Sequence, residues 1–378
     1  MSAEADGPPL VTCPNCGSLV PAGEFCGHCG AHMTRASARR PHAYAAVPAQ
    51  GVAHLAIVST LFPHLPHRRG GPFRVALVAG IALLALLAGM HLFAPATAAA
   101  VFLLPVLYLM YLYEVEVYED EPWLIVGATM LAGAVLGFIF TAIAGSTLSQ
   151  LVITGDTETG FALAGVAIPI VTQILMLAGP LFVYLARSRR FREPLDGLTF
   201  GAASALGFTL ASSLTIFWPL LAGPLVAPGS AIDWGVRLAR SGLLVSLINA
   251  CTTGALAAAI WLQRFDRRKT GRPWYASLLA AGAIAFGVQI ALGMIAFVVS
   301  DLAVEVVIFG IAAAALLLYL RLVIHDALLV EGAELDIGPE AHCPECHRMV
   351  PAMAFCPACG AARSAASKRT RARVAGGV

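Results

Sequence analysis

The sequence predicts an all-α, polytopic transmembrane helical bundle of about eight spans with a small cysteine module at each terminus. Three observations carry this. The chain is 58% hydrophobic and only 12% charged, with a mean hydropathy of +0.79, far from soluble-domain averages. Its interior divides into apolar runs of about twenty residues, the length a helix needs to cross ~30 Å of hydrocarbon. The pattern C-x2-C-x9-C-x2-C occurs twice, at Cys13, Cys16, Cys26, Cys29 and at Cys343, Cys346, Cys356, Cys359.

In chain order, residues 11–33 form the first module and residues 341–362 its duplicate. Positions 13–31 and 343–361 share 11 of 19 residues, among them Val-Pro-Ala at 20–22 and 350–352 and Phe25 with Phe355. Each C-x2-C aims two thiolates at one ion, and two such knuckles on a hairpin close a tetrahedral sulfur shell, so each module reads as a structural zinc ribbon. Gly30 and Gly360 follow the second knuckles, where positive φ turns the backbone toward the metal. With only Val20 and Phe25, or Val350 and Phe355, to bury, each ribbon depends on metal for on the order of 10 kcal/mol of folding free energy. Disulfides or a rubredoxin-like iron site are the alternatives. A closed shell leaves no position for water, so the two zinc ions are structural, and His28, His342 and His347 are neighbours of the ligands.

Residues 34–72 read as a linker with an interfacial segment, because the apolar stretch 51–67 is broken by Pro63 and Pro66. The transmembrane domain, 73–325, holds expected spans at 75–93, 97–113, 124–144, 161–186, 198–221, 242–262, 275–299 and 302–320, with 97–113 the shortest. No charged segment followed by an apolar run opens the chain, so the first span is expected to act as its own anchor. Of 24 basic residues, all but Arg237 and Arg240 fall on one side of these spans, which places both termini and both ribbons in the cytoplasm. Reduced thiols there suit zinc. Alanine and arginine richness with only two lysines points to a GC-rich bacterial genome, hence a bacterial plasma membrane. The tail 363–378 is basic and reads as disordered; its Lys368, Arg369, Arg371 and Arg373 suit anionic lipid at about 1 kcal/mol per charge. Aromatic interleaving is missing, which argues against nucleic acid as a partner.

The middle of the chain carries a resemblance. Glu119-Asp120-Glu121-Pro122-Trp123 before the third span, the run Arg190-Phe191-Arg192-Glu193-Pro194-Leu195-Asp196-Gly197, and Phe200-Gly201 through Gly207-Phe208 resemble the PrsW family of intramembrane proteases over roughly residues 100–325. The resemblance implies a Glu-Glu pair with a Lys one turn on, and this sequence departs from it: the matching stretch is Pro169-Ile170-Val171-Thr172-Gln173, followed by Met176-Leu177. The Glu implied four residues after Phe208 is Ser212, and the implied His falls at Asn249.

The residues alone lead to the same reading. Peptide hydrolysis needs a paired carboxylate, a metal-bound hydroxide or a His-assisted nucleophile. Within the spans lie only His91, Asp301 and Glu305, all near the outer surface, and Glu305 is expected to reach the interface. Counting from the outer face, Gln173 lies about 19 Å deep, Ser212 about 15 Å and Asn249 about 12 Å, so these residues and Thr172 are expected to face one another as a degenerate intramembrane site, serving mainly as interhelical hydrogen bonds. Ser213, Thr252 and Thr253 belong with them. His325-Asp326 reads as a helix-end pair and Cys251 as a small apolar filler.

The chain therefore reads as a non-catalytic, pseudoprotease-like membrane protein. Its partners are the lipid bilayer and, through the ribbons, a cytosolic or membrane protein docked for regulation or assembly. The alternatives are an active PrsW-like protease acting through Glu305 or Asp301, and a small-molecule transporter with helices broken at Pro169, Pro180 and Pro219.

Overall fold

The computed structural model describes residues 9–33, 71–115, 123–154, 157–186, 191, 194–223, 230–264, 274–333, 337–343 and 346–362. The expected linker up to residue 70, the acidic residues Glu116 to Glu121 and the basic tail with Lys368, Arg369, Arg371 and Arg373 lie outside them.

Nine helices of the described residues are used below: α1 (Gly71–Gly89), α2 (Phe93–Val115), α3 (Trp123–Thr154), α4 (Ile168–Ala186), α5 (Pro194–Ile216), α6 (Ala231–Leu238), α7 (Val245–Leu262), α8 (Leu278–Val298) and α9 (Leu302–Ala333). Among the described residues seven helical stretches are long and apolar enough to span: Phe93–Leu112, Leu124–Thr147, Thr157–Ala186, Pro194–Ile216, Ile232–Leu262, Leu278–Val298 and Leu302–Ala327. The expected first span, 75–93, is the exception. Its apolar helix is the shorter Val75–Gly89, because the chain turns at His91. There φ is 56°, the His91 amide donates to Ala88 O (3.1 Å) and the Leu92 amide to Leu87 O (2.9 Å). This is a Schellman stop with histidine in the left-handed position usually given to glycine. Residues 90–93 thus fall to the turn and to α2, and the span expected to be shortest starts earlier, at Phe93.

The core forms around α5, whose Gly, Ala and Ser residues let two neighbours approach its backbone. A Cβ on Gly133 or Gly137 of α3 would strike the Ser204 or Phe208 carbonyl, and one on Gly201 would sit 2.8 Å from Thr253 O of α7. Lipid offers no hydrophobic drive between helices, so small residues four apart gain their contact through close van der Waals packing. Trp261, fully buried, closes one end of this layer: its indole N–H donates to Phe191 O (3.3 Å), and the Phe191 ring stands edge-on to Phe200. Proline does not break α4 as the transporter reading expects. Pro169 lies inside the continuous helical stretch Thr157–Ala186, directly after a π turn at Ala162–Ala167 whose wider register accommodates its missing N–H, and α4 runs on through Pro180. Pro219 lies in a separate short helix, Trp218–Leu221, beyond the end of α5.

Outside the bundle each cysteine module is a two-stranded hairpin, β1 (Leu10–Thr12) with β2 (Leu19–Pro21), and β3 (Glu340–His342) with β4 (Met349–Pro351). The registers are equivalent, Val11 opposite Val20 and Ala341 opposite Val350. Phe355 is 1% exposed and, with Ala354 and Ala362, continues the core of the bundle, so the carboxy-terminal module is seated on the membrane domain.

Candidate functional site

Two kinds of site emerge, one in the membrane and one at each end of the chain. In the membrane, Gln173 of α4, Asn249, Thr252 and Thr253 of α7, Thr209 of α5 and Gln289 of α8 form one hydrogen-bonded cluster. The Gln289 amide donates to Asn249 Oδ1 (2.8 Å) and lies 3.3 Å from Thr252 Oγ1 and 3.5 Å from Gln173 Oε1. Gln173 donates through Nε2 to Thr253 Oγ1 (3.2 Å), and Asn249 through Nδ2 to Thr209 Oγ1 (2.9 Å). Thr252 Oγ1 is within 3.2 Å of Gln173 Oε1 and 2.9 Å of Ile248 O. Gln173 and Thr253 are fully buried.

This corrects the expected set in two places. Ser212 is not with Gln173 and Asn249: three residues past Thr209 the helix has turned it toward α3, where Thr141 donates to its hydroxyl (2.8 Å) and it reaches Gly137 O (3.3 Å). Thr172, half-buried beside Gln173, stands outside the cluster. The residue that joins the cluster together, Gln289, was missed; its signal was being the one amide in an otherwise apolar helix.

Glu305 also differs from expectation. It is 5% exposed and paired with Arg240, whose guanidinium also lies 5.4 Å from the Phe309 ring centroid. Arg240, expected outside the spans, lies on a π turn, Ala239–Leu244, between α6 and α7, from which its half-buried side chain reaches Glu305.

At the ends of the chain the four sulfurs of each module lie within 4.8 Å of one another, with Cys13–Cys29, Cys16–Cys26, Cys343–Cys359 and Cys346–Cys356 all at 3.8 Å. That spacing is the edge of a tetrahedron whose metal–sulfur bond is about 2.3 Å. Four equivalent knuckle turns build it: the amides of Gly17, Gly30, His347 and Gly360 donate back to Cys13, Cys26, Cys343 and Cys356, and all four residues have φ between 61° and 73°. Hydrogen bonding from Cys26 and Cys29 holds the Cys16 thiol well below the ordinary range, and bonding from Cys343 and Cys359 holds Cys356 down at about 3. The same contacts push Cys26 and Cys359 up, since four crowded sulfurs cannot all ionise without a cation among them. His28 lies beside Cys16, which raises its imidazole pKa, and His342 Nδ1 lies 3.2 Å from His347 O, so both are neighbours of the ligands. Both modules fit zinc ribbons.

The profile described as PrsW family intramembrane metalloprotease matches residues 121–320, more than half of the chain. The chain belongs to the PrsW family. No curated protein and no solved structure matched it. The PrsW description implies a metal in the membrane domain, and the residues converging there do not fit one. Amides and hydroxyls replace the imidazole, carboxylate and thiolate donors that catalytic metals take, and they are engaged with one another. Among the described residues only the two four-cysteine groups gather three or more metal-ligating side chains of those types. The arrangement can fasten α4, α5, α7 and α8 together.

Gln289→Leu is expected to strand Asn249 Oδ1 and cost about 1–3 kcal/mol. Because Gln289 and Asn249 share one bond, Asn249→Leu added to it is expected to cost less than the sum of the two single variants. Unfolding in detergent measures both; strictly additive losses would mean that the cluster is not a unit.

Proposed function

We propose that this chain is a non-catalytic member of the PrsW family, a multi-pass protein of the bacterial plasma membrane whose two cytosolic ribbons each hold a structural zinc ion and serve docking, regulation or assembly. The observation that carries this reading is the neutral cluster of Gln173, Asn249 and Gln289 in place of a water-activating group. Thr172, Gln173, Ser212 and Asn249, the positions at which the family resemblance implies acids and a base, carry none. Glu305, the acid on which an active enzyme would have to rely, is paired with Arg240 away from the cluster. The spacing of the cysteine sulfurs supports zinc, and arginine asymmetry supports cytosolic termini. Termini on one side require an even number of crossings, which favours counting α1 as a short eighth: its apolar part, Val75–Gly89, reaches about 22 Å.

The test is reconstitution of the full chain into liposomes with a panel of single-span membrane substrates. No cleaved fragment is expected. A fragment that persists in Gln173→Leu and disappears in Glu305→Gln would overturn the proposal and identify a different catalytic acid.

A further inference from the structure

The two ribbons are not separate ends of the chain. The Phe25 amide donates to Pro357 O (2.9 Å) and the Phe355 amide donates to Gly27 O (2.9 Å). These two bonds form an antiparallel bridge centred on Cys26 and Cys356, the first ligands of the two second knuckles. In the duplicated numbering, Phe25 corresponds to Phe355 and Gly27 to Pro357, so each bond is the image of the other under an approximate twofold axis. Isologous contacts of this kind are what identical subunits make.

The side chains at the bridge are not identical, and the difference is informative. At this contact the amino-terminal ribbon has glycine at two positions where the carboxy-terminal ribbon has a side chain: Gly23 corresponds to Met353, and Gly27 to Pro357. Each glycine faces one of those side chains. A Cβ on Gly23 would lie 2.7 Å from Pro357 O and 2.8 Å from Pro357 Cβ, while one on Gly27 would overlap Met353 Sδ. Met353 is 5% exposed and joins Cys13, Val20, Cys26, Cys29 and Ala31 in the core of the other ribbon. A pair of amino-terminal ribbons would set glycine against glycine and leave a gap; a pair of carboxy-terminal ribbons would set methionine against proline and clash. Only the mixed pair fills the interface, which is specificity built from both a fit and a rejected alternative.

We propose that Gly23 and Gly27 on one ribbon, with Met353 and Pro357 on the other, are specificity residues that commit the two ribbons of one chain to each other. The pair then forms a single clasp seated on the bundle through Phe355. This rests on the reading of both modules as metal-bound ribbons, and it adds that the bridge surface is occupied within the chain. Any docking partner meets the outer faces of the pair.

The test exchanges the side chains in the full chain. Gly23→Met with Gly27→Pro makes the amino-terminal ribbon like its duplicate. The ribbon fold accepts both changes: neither glycine has positive φ, and Pro357 already occupies the position equivalent to Gly27. Met353→Gly with Pro357→Gly does the converse. Metal content and hydrogen exchange at the Phe25 and Phe355 amides, the two inter-ribbon donors, are the readouts. Each half-exchanged chain is expected to keep two ions and to exchange both amides at least about tenfold faster. The chain carrying all four changes is expected to regain native protection, because the complementary pair is restored with the roles reversed. Native protection in either half-exchanged chain, or no recovery in the fourfold variant, would overturn the proposal. A native chain that bound no metal would instead refute the ribbon reading beneath it. Should the methionine-bearing variant lose an ion and so fail to fold, the side-chain-removing Met353→Gly variant decides the matter by the same two amides.

Discussion

Stripping the metal from the four-cysteine sites is expected to unfold the ribbons while leaving the membrane bundle intact. Each hairpin has three-residue strands and a handful of buried side chains. Within the amino-terminal ribbon the apolar core is Val20 and Ala31 around the ligands themselves, completed by Met353 from its partner. So small a core cannot offset the conformational entropy of some twenty ordered residues, and ion binding supplies on the order of 10 kcal/mol. Hydrogen exchange under a strong chelator tests this. Protection is expected to vanish at the Cys13 and Cys343 amides, which donate to Ser18 O and Arg348 O, and to return on adding zinc. The amides of α5 and α7 are expected to stay protected throughout. Cys251→Ala serves as the control, since that thiol is buried in α7 and should leave the metal content unchanged. Hairpins that stayed protected after complete metal removal would show that contact with the bundle, and not the ion, folds them.

The second large effect is expected at the ion pair between half-buried Arg240 and buried Glu305. Arg240→Ala leaves the buried Glu305 carboxylate without its counter-charge; because the Arg240 side chain is itself 31% exposed, the expected cost is about 2–3 kcal/mol, below that of a fully buried pair. Replacing both partners by leucine is expected to recover most of that loss, because a hydrophobic pair of similar size removes the two charges together. Midpoints of denaturant unfolding for Arg240→Ala and for the double variant measure the difference. A single variant within about 1 kcal/mol of the native chain would mean that Glu305 finds water or an alternative donor. The contact ties α9 to the π turn ahead of α7, a placement that the isolated position of Glu305 in the sequence did not disclose.

Much of the architecture was legible because it is written locally. The cysteine spacing specifies the ribbons, since ligands with two and nine residues between them can be brought to one ion by short turns alone. Hydropathy located the spans, since the cost of exposing polar groups to lipid is paid residue by residue. The run from Arg190 to Gly197 carried the family, and within it the Phe191 carbonyl accepts both the Trp261 indole N–H and, at 2.6 Å, Arg264. The end of α1 was harder, because a Schellman stop at a histidine leaves no glycine to announce it.

What the sequence by itself determined is therefore the set of parts: a membrane bundle of the PrsW family, two duplicated four-cysteine modules, and a membrane interior short of acids and bases. Tertiary structure alone decided how those parts meet. Depth along a helix can be counted from sequence, but the face a residue presents depends on which helices pack against it. So Gln289 entered the amide cluster unannounced, while Ser212 turned away to Thr141. The pairing of the two ribbons lies further out of reach, for it joins residues more than three hundred apart through two backbone bonds and the fit of two side chains into two glycines. Contacts of that kind carry no local signature, because each half is complete in its own hairpin and acquires its meaning only when the bundle brings the two ends of the chain together.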